Sequence, residues 1–312
     1  MRIYEYTRGA APYPGKCVLA LGFFDGMHIA HRDLLSYGRH LAAAESLPFG
    51  IFTFRSEGGI KSATARIYDT EHRLCLARRA GAEFAVVADF DSLRGLTPEE
   101  FVRDVLIEDL HAEIAVAGYN FRFGKCAAGD SEALKRLMSE SGKQACIRDE
   151  FKRDGITVSS SAIRDLLLNG KIQEANRLLG APYSVRGTVI HGDGRGRSLG
   201  LPTINTDIPV GRIAPASGVY RSATVCGGRI YPSITNVGVC PTFGQRALHV
   251  ETHIVDFEGE LYGEEAEIFL LEYLREEKQF STANELILQI KLDISQTKAR
   301  NGDITWQELG LS

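Results

Sequence analysis

Two patterns of apolar residues divide this chain of 312 residues and restrict the folds open to it. In the first half, short apolar runs alternate with amphipathic stretches at helical spacing. The predicted strands are 17–23, 49–54, 84–87 and 114–117, and the predicted helices include 31–44, 70–80 and one capped by Thr97. Such alternation predicts an α/β fold with a doubly wound parallel sheet, in which ligands bind at the carboxyl ends of the strands.

The second half of the chain changes in character. Two helices are predicted, one from the caps at 159–161 to about 169 and one over 172–179, and Gly180-Ala181-Pro182 ends this region. Short strand candidates follow at 185–190, 218–226, 231–237, 248–255 and 266–273, with glycine-rich turns typical of a compact β-barrel. A terminal helix over 282–297 carries Leu286, Ile290 and Ile294 on one face. We therefore predict two domains, at 1–180 and 183–312.

Composition excludes several classes of protein. A hydrophobic content of 44% and a charged content of 24% are ordinary for a globular chain, and a net charge of −4 argues against general affinity for nucleic acid or acidic membranes. The six cysteines form no C-x-x-C pair, which favours reduced thiols. No apolar run approaches the roughly 20 residues of a membrane span, and the first residues show no signal-peptide pattern. We expect a cytoplasmic protein with small-molecule partners, without nucleic acid or membrane partners, and at most a weak homo-oligomer.

A glycine- and arginine-rich stretch lies between the first two strand candidates of the second half. It reads His191-Gly-Asp-Gly-Arg-Gly-Arg-Ser-Leu-Gly-Leu-Pro-Thr-Ile-Asn205. Glycines let backbone N–H groups approach an anion, and arginine forks suit phosphate oxygens. The stretch is neither a Walker A loop nor a dinucleotide fingerprint, because the lysine-hydroxyl pair is missing and Gly200 comes one residue late. A flexible surface loop is the alternative, but the following Pro-Thr-x-Asn favours a phosphate cradle.

A second candidate site lies where the first predicted strand turns into the first helix. The sequence Gly22-Phe-Phe-Asp-Gly-Met-His-Ile-Ala-His31 places His28 and His31 on one helix face. Protonated or hydrogen-bonding, they could stabilise charge on a transferred phosphoryl group, aided by the positive helix end. Ordinary capping and surface histidines are the alternative, and a metal pair lacks a third ligand. The serines of 159–161 with Arg164 could add a phosphate site, or could simply cap a helix.

These elements, in this order, resemble the bacterial bifunctional riboflavin kinase/FMN adenylyltransferase (FAD synthetase) family almost from end to end. Further matching segments are Gly118-Tyr-Asn-Phe-Arg-Phe-Gly124, Asn236-Val-Gly238, Pro241-Thr-Phe243, 250–263 and 274–280. The resemblance implies that the C-terminal barrel is a riboflavin kinase, which phosphorylates riboflavin with ATP to FMN. It implies that the N-terminal, nucleotidyltransferase-like domain joins FMN to AMP from ATP, giving FAD and pyrophosphate.

The resemblance also implies roles for particular residues. In the kinase, Thr203 and Asn205 would hold Mg²⁺ and the ATP phosphates, Glu251 would be the general base, and Arg275 would lie on the flavin side. The loop residues over the nucleotide phosphates would be Gly192, Gly194, Gly196 and Arg197. In the first domain, the catalytic residues would be His28 and His31, the ATP-binding residues Gly22, Phe24, Asp25, Gly26, Ser160 and Arg164, and the flavin-binding residues Asn120 and Arg122.

The first domain departs from the family pattern at several positions. Ala30 replaces a glycine of the family pattern, Ala162 replaces an arginine, and Asn120 replaces an aspartate. The usual Pro-His-Pro is missing at 55–59. These departures leave open a second hypothesis, in which the protein is a riboflavin kinase and its first domain has only a binding or structural role. A third hypothesis, a non-catalytic flavin- or RNA-binding regulator, predicts loss of Thr203, Asn205 or Glu251, or a basic patch, and neither occurs.

Overall fold

The structure, a computed structural model, describes residues 1–9, 15–55, 65–191, 202–206, 211–242, 245–300 and 304–311. Its internal contacts divide the chain into two compact units, 1–160 and 161–312. The glycines and the arginine predicted at 192–197 lie outside the described residues.

The first unit is built on a parallel sheet of six strands. The strands are β1 (Arg2–Tyr6), β2 (Cys17–Leu21), β3 (Phe49–Phe54), β4 (Phe84–Ala88), β5 (Ala112–Gly118) and β6 (Gln144–Arg148), in the order β1-β4-β3-β2-β5-β6. All neighbouring pairs among them are parallel. The helices are α1 (Ile29–Ala44), α2 (Thr70–Arg79), α3 (Phe90–Leu93), α4 (Pro98–Glu100), a π-helix (Phe101–Asp109), a 3-10 turn (Lys125–Ala127) and α5 (Ser131–Glu140). A short hairpin, β7 (Lys152–Arg153) and β8 (Ile156–Thr157), follows.

The sheet buries both of its faces, as the alternation of strands and helices predicted. Leu19 and Leu21 of β2 pack in one layer with the π-helix and α5, whereas Val18 and Ala20 pack in the other with α1 and α2. Successive side chains of a strand point to opposite faces, so a continuous apolar run needs cover on both sides. The predicted doubly wound sheet is therefore confirmed.

The start of the helix predicted at Thr97 is also confirmed. The Thr97 hydroxyl accepts the Glu100 N–H at 3.2 Å, and the Glu100 carboxylate accepts the Thr97 N–H at 2.9 Å, so both residues form a capping box. The first predicted strand is shorter than the run 17–23, because β2 ends at Leu21 and the chain then turns. Helix α1 begins at Ile29, two residues before the predicted start.

The second unit begins with two helices and continues as a barrel. Helices α6 (Ser160–Leu168) and α7 (Ile172–Leu179) precede the strands β9 (Tyr183–Ile190), β10 (Ile204–Thr206), β11 (Gly218–Cys226), β12 (Arg229–Thr242), β13 (Gln245–Ile254) and β14 (Glu265–Arg275) and the helix α8 (Ala283–Arg300). Helix α7 is fixed to this unit, since the Asn176 amide donates to the Leu270 carbonyl at 2.9 Å. The contacts therefore group α7 with the barrel, whereas the boundary between 180 and 183 stays a prediction from sequence.

The barrel is closed and antiparallel, in the order β10-β13-β12-β11-β14-β9 with β9 pairing to β10. Closure satisfies the backbone groups that an open sheet would expose at its edges. Inside, Ser222 bonds to Thr235 at 2.7 Å and Thr235 to Thr252 at 3.0 Å, and all three side chains are buried. This ladder of paired hydroxyls favours the register that places Glu251 opposite both Asn205 and Asn236.

Candidate active sites

The first candidate site lies at the switch point of the parallel sheet. The order of the strands reverses between β2 and β5, and ligands of such sheets bind in the crevice at the carboxyl ends of the two central strands. β2 leads into the segment 22–28, and β5 leads into Tyr119 and Asn120. The fold thus brings two segments that the sequence marked separately to one edge of the sheet.

The segment 22–28 is a tightly wound loop held by buried side chains. Phe24, Gly26 and Met27 have φ angles of 56°, 84° and 42°, in the left-handed region. The rings and chains of Phe24 and Met27 are buried, each with 1% exposure. The side chain of Phe24 therefore belongs to the core. Its predicted role in binding ATP is restricted to its backbone groups.

Asp25, which is predicted to bind ATP, lies in the same loop. Its carboxylate is buried and accepts the backbone N–H groups of Ile67 and Tyr68 at 2.9 and 3.4 Å. Its carbonyl accepts the hydroxyl of Ser160 at 2.7 Å. Asp25 therefore ties the loop to two distant segments, and a buried carboxylate is itself a poor ligand for a phosphate.

His28 and His31 form one stacked pair at the start of helix α1. Their ring centroids are 3.6 Å apart with an interplanar angle of 14°, and the Nδ1 atom of His28 caps the helix by accepting the His31 N–H at 3.3 Å. Burial lowers the pKa of His28 to about 4 and holds the pKa of His31 well below its ordinary value, with the His28 and Arg73 charges adding to the effect on His31. The structure therefore favours neutral, hydrogen-bonding imidazoles over the protonated alternative.

The cap also decides which nitrogen of His28 carries the proton. Because Nδ1 accepts a hydrogen bond, the neutral ring has its hydrogen on Nε2. An Nε2–H group beside the positive end of a helix of 16 residues can donate to a phosphate oxygen.

Arg73 organises the same edge of the sheet, and sequence reasoning missed it. Its buried guanidinium donates to the carbonyls of Phe23 and Phe54, and to the hydroxyls of Thr53 at 2.9 Å and Thr70 at 3.2 Å. The signal was present in the sequence, because Thr70, Arg73, Leu74 and Ala77 share the spacing of one buried helix face. A charged residue on such a face must have a structural partner or a functional one.

The remaining predicted residues of this site lie in exposed positions or in the other unit. Asn120 is exposed after β5, and the Arg122 guanidinium is exposed and 3.4 Å from the Asp130 carboxylate. Arg164 lies in α6, within the second unit. Their predicted ligand contacts stay predictions.

The second candidate site is built on two paired strands of the barrel. Asn205 of β10 lies opposite Glu251 of β13, and the Thr203 hydroxyl donates to the Glu251 carboxylate at 2.6 Å. His253 bonds through Nδ1 to the Pro202 carbonyl at 2.9 Å, which fixes the backbone just before Thr203. Three predicted residues that are up to 48 positions apart in sequence thus meet.

Two cavities adjoin at Thr203. One of about 560 Å³ is lined by Glu251, Asn236, Arg275 and the apolar residues Val219, Ile234, Phe280, Leu286 and Ile290, among others. The other, of about 410 Å³, is lined by Asn205, Glu260, Tyr262 and His191, among others. The rings of His191 and Tyr262 stack there with centroids 3.7 Å apart. Two substrates, one in each cavity, could therefore exchange a chemical group beside Thr203 and Glu251.

Arg275 lines the larger cavity, and its side chain is also held by the protein. The Asp293 carboxylate of α8 accepts from Nη2 at 2.8 Å and from Nε at 3.1 Å. Asp293 was not identified from the sequence, although its place beside Leu286 and Ile290 on one helix face could have indicated a buried charge.

No group of three or more metal-ligating His, Cys, Asp or Glu side chains occurs among the described residues. The barrel site instead offers the neutral oxygens of Thr203 and Asn205. Within the part of the chain that the structure describes, helices of the length and apolar character needed to cross a membrane are likewise absent.

Comparisons with known proteins match the two parts of the chain to two different family models. Residues 11–162 match the family model for FAD synthetase, and residues 179–301 match the family model for riboflavin kinase. The bifunctional riboflavin kinase/FMN adenylyltransferase of Listeria monocytogenes is 32% identical over 90% of this chain and 91% of that protein. Those of Bacillus subtilis and Escherichia coli K12 are 33% and 31% identical, over 89% and 91% of this chain and 90% and 92% of theirs.

A solved structure shows the same fold. The crystal structure of a protein described as a macrolide-efflux protein from Streptococcus pneumoniae superposes with a TM-score of 0.85 and 29% identity, over 96% of this chain and 100% of that one. A doubly wound sheet followed by a closed barrel, each with residues suited to phosphate chemistry, defines a two-part transferase. The chain belongs to the bifunctional riboflavin kinase/FMN adenylyltransferase family.

Proposed function

We propose that each reaction of this family has its own site in the chain. The barrel phosphorylates riboflavin with ATP to FMN, and the first unit adenylylates FMN with a second ATP to give FAD and pyrophosphate. The observation that carries the kinase assignment is the 2.6 Å hydrogen bond between Thr203 and Glu251 where two cavities adjoin.

In the kinase reaction, Glu251 takes the proton of the flavin's terminal hydroxyl. The hydroxyl oxygen forms a bond to the γ-phosphorus of ATP, the bond from that phosphorus to the bridging oxygen breaks, and ADP leaves. The hydrogen bond from Thr203 fixes the carboxylate, which suits a transfer that needs positioning more than covalent help.

The two cavities suit the two substrates. The apolar side chains of the larger cavity fit a flat tricyclic ring, and Glu251, which lines the same cavity, would meet the polyol chain. The smaller cavity would hold ATP, whose phosphates would reach Thr203 and Asn205. The phosphate contacts predicted for Gly192, Gly194, Gly196 and Arg197 stay predictions from the sequence, because these residues lie outside the described part of the chain.

The donors of this site fit Mg²⁺ as a companion of ATP. A hydroxyl and an amide are hard, neutral oxygen ligands, and Mg²⁺ commonly uses one or two protein ligands together with substrate phosphates and waters. Thr203 and Asn205 would therefore hold the ion, which would neutralise phosphate charge when it is bound.

In the adenylyl transfer, a phosphate oxygen of FMN attacks the α-phosphorus of ATP, and pyrophosphate leaves as that phosphorus–oxygen bond breaks. An FMN phosphate is already ionised, so this step requires no general base. His28, with its proton on Nε2, and His31 would donate hydrogen bonds to the phosphates at the start of α1. Backbone groups of Gly22, Phe24 and Gly26, together with Ser160, would complete the ATP side, and Asn120 and Arg122 would face the flavin.

One departure from the family pattern is compatible with this function. Ala30 lies in the first turn of α1 and is not among the residues with positive φ, so its methyl group causes no backbone strain. The missing Pro-His-Pro falls mostly outside the described residues, and it keeps the kinase-only hypothesis as the second candidate.

The deciding experiment separates flavins by liquid chromatography after incubation of the purified protein with Mg²⁺ and ATP. One reaction receives riboflavin and the other receives FMN. FAD in both reactions supports the bifunctional enzyme. FMN that accumulates without FAD means that only the kinase is active, and no product from either substrate contradicts both assignments.

The setting in which we place the enzyme follows from composition. The net charge of −4 and the scattered cysteines favour a cytoplasmic enzyme that acts on small molecules, without a nucleic-acid partner and with at most weak homo-oligomerisation.

A further inference from the structure

The side chain of Asp293 joins the terminal helix to the last barrel strand through a buried ion pair. Asp293 is 3% exposed, and its carboxylate accepts two N–H groups of Arg275 on one edge of the guanidinium, at 2.8 and 3.1 Å. The Gln289 amide donates to the same carboxylate at 3.0 Å. A bidentate contact of this kind fixes both the direction and the plane of an arginine side chain.

The remaining donors of Arg275 are thereby oriented. A guanidinium has five N–H groups. Asp293 takes one on Nε and one on Nη2, and the Glu276 carbonyl takes one on Nη1 at 3.1 Å. One N–H on each Nη atom is left without a protein acceptor among the residues that the structure describes, and Arg275 lines the cavity of about 560 Å³.

The same helix supplies part of the apolar wall of that cavity. Leu286 and Ile290 line it from α8, about two turns and one turn before Asp293 respectively. The ion pair therefore fixes two features of the cavity at once, an apolar surface and an adjacent pair of hydrogen-bond donors.

We propose that Asp293 is a positioning residue of the kinase site, which holds Arg275 so that its Nη groups donate to acceptor atoms of the flavin. This inference rests on the proposed kinase function. Asp293 does not contact the reacting atoms, so its effect belongs to substrate binding rather than to the transfer of the phosphoryl group.

The test is steady-state riboflavin phosphorylation by the full-length protein and by Asp293→Asn, which keeps the shape of the side chain and loses its charge. We expect the KM for riboflavin to rise at least about tenfold, since hydrogen bonds to charged groups contribute that much, while kcat stays within about twofold. Arg275→Lys keeps the charge and loses the fork, and it should raise KM likewise. The double variant should be no worse than Arg275→Lys alone, because both changes remove one interaction.

Asp256→Asn is the matched control. Asp256 also pairs with α8, through Lys298 at 2.7 Å, but both side chains are largely exposed, so this change should leave KM for riboflavin unaltered. A KM within twofold of wild type in Asp293→Asn would overturn the inference. Two other results would also overturn it. One is a double variant whose increase in KM is the product of the increases in the two single variants. The other is an increase in KM in Asp256→Asn as large as that in Asp293→Asn. Failure of the wild-type protein to form FMN would instead contradict the proposed kinase function. Adenylylation of added FMN and thermal unfolding, measured on every variant, identify a misfolded chain, and Arg275→Lys then supplies the test.

Discussion

Among the residues that the structure describes, the carboxylate of Glu251 has one hydrogen-bond partner, the Thr203 hydroxyl at 2.6 Å, and Asn205 and Asn236 are its cross-strand neighbours. None of these residues is a cation that would keep the carboxylate permanently paired. A carboxylate in this position can accept a proton from a substrate hydroxyl and return it to water after the transfer.

We predict that Glu251→Gln lowers kcat for riboflavin phosphorylation at least about 100-fold, the smallest contribution usual for general base catalysis. Glutamine keeps an acceptor for Thr203, so thermal unfolding should change little.

His31→Ala should give the opposite pattern, with FAD formation from FMN lost and FMN formation from riboflavin retained. Both reactions can be measured on one preparation by flavin chromatography. Unchanged phosphorylation in Glu251→Gln would refute the assigned base, and surviving FAD synthesis in His31→Ala would refute the first site.

The neutral state of His28 predicts a dependence of stability on pH. Burial lowers its pKa from 6.5 to about 4, so between these values the unfolded chain binds a proton that the folded chain does not. The free energy of unfolding should therefore fall as pH decreases through this window. For His28 alone, the loss at pH 5 relative to pH 8 is about 2 kcal/mol.

Urea unfolding at pH 8 and pH 5 measures this loss. His28→Asn keeps a side chain that can cap α1 and should reduce the loss, whereas His40→Gln, at an exposed position of the same helix, should not. Equal losses in the wild type and in His28→Asn would show that His28 is not buried as a neutral group.

At the scale of elements, Arg73 connects the ends of β2 and β3 with the start of α2. Its guanidinium reaches two carbonyls and two hydroxyls on these elements, which a single ammonium group cannot do at once. Since Phe23 lies two residues after the end of β2, the position of the loop 22–28 depends on Arg73.

We predict that Arg73→Lys lowers kcat/KM for FAD formation at least about tenfold, because partners of a buried charge are left unpaired and the loop shifts. Riboflavin phosphorylation on the same chain should stay within about twofold. Arg78→Lys, at an exposed position of α2, is the matched control and should affect neither reaction. A parallel loss of both activities in Arg73→Lys would mean general unfolding rather than a local role.

The sequence predicts the central elements better than the edges. β2, β3, β4 and β5 are apolar runs with buried residues at nearly every position, and all four were predicted. β1 and β6 were missed because they are edge strands, whose residues are mostly exposed or half-buried and form no continuous apolar run. Helix α5 was missed as well, although Asp130 caps it and Leu134 and Leu137 are buried.

In the candidate sites, contacts between residues close in sequence could be predicted, whereas contacts between distant residues could not. His28 and His31 are three residues apart, so their stacking on one helix face could be predicted. The pairs Thr203–Glu251 and Arg275–Asp293 depend on the register of the barrel and on the docking of α8, which spacing along the chain does not encode. The family resemblance indicated Thr203, Glu251 and Arg275, but not Asp293.

At the scale of the whole molecule, the two reactions lie in different units. The stacked histidines belong to the unit 1–160, and both barrel cavities are lined by residues of the unit 161–312. FMN is the product of one site and the substrate of the other. We therefore expect FMN to leave the barrel and mix with FMN in solution before it is adenylylated.

An isotope-dilution experiment tests this expectation. Labelled riboflavin is incubated with ATP, Mg²⁺ and the wild-type protein, with and without a large excess of unlabelled FMN. If FMN is released, the unlabelled pool dilutes the product, and the label in FAD falls in proportion while total FAD formation continues. Label that reaches FAD at an undiminished rate would contradict release, since it requires FMN to pass between the sites without entering the solution. His31→Ala gives the background, because it should form labelled FMN and no FAD.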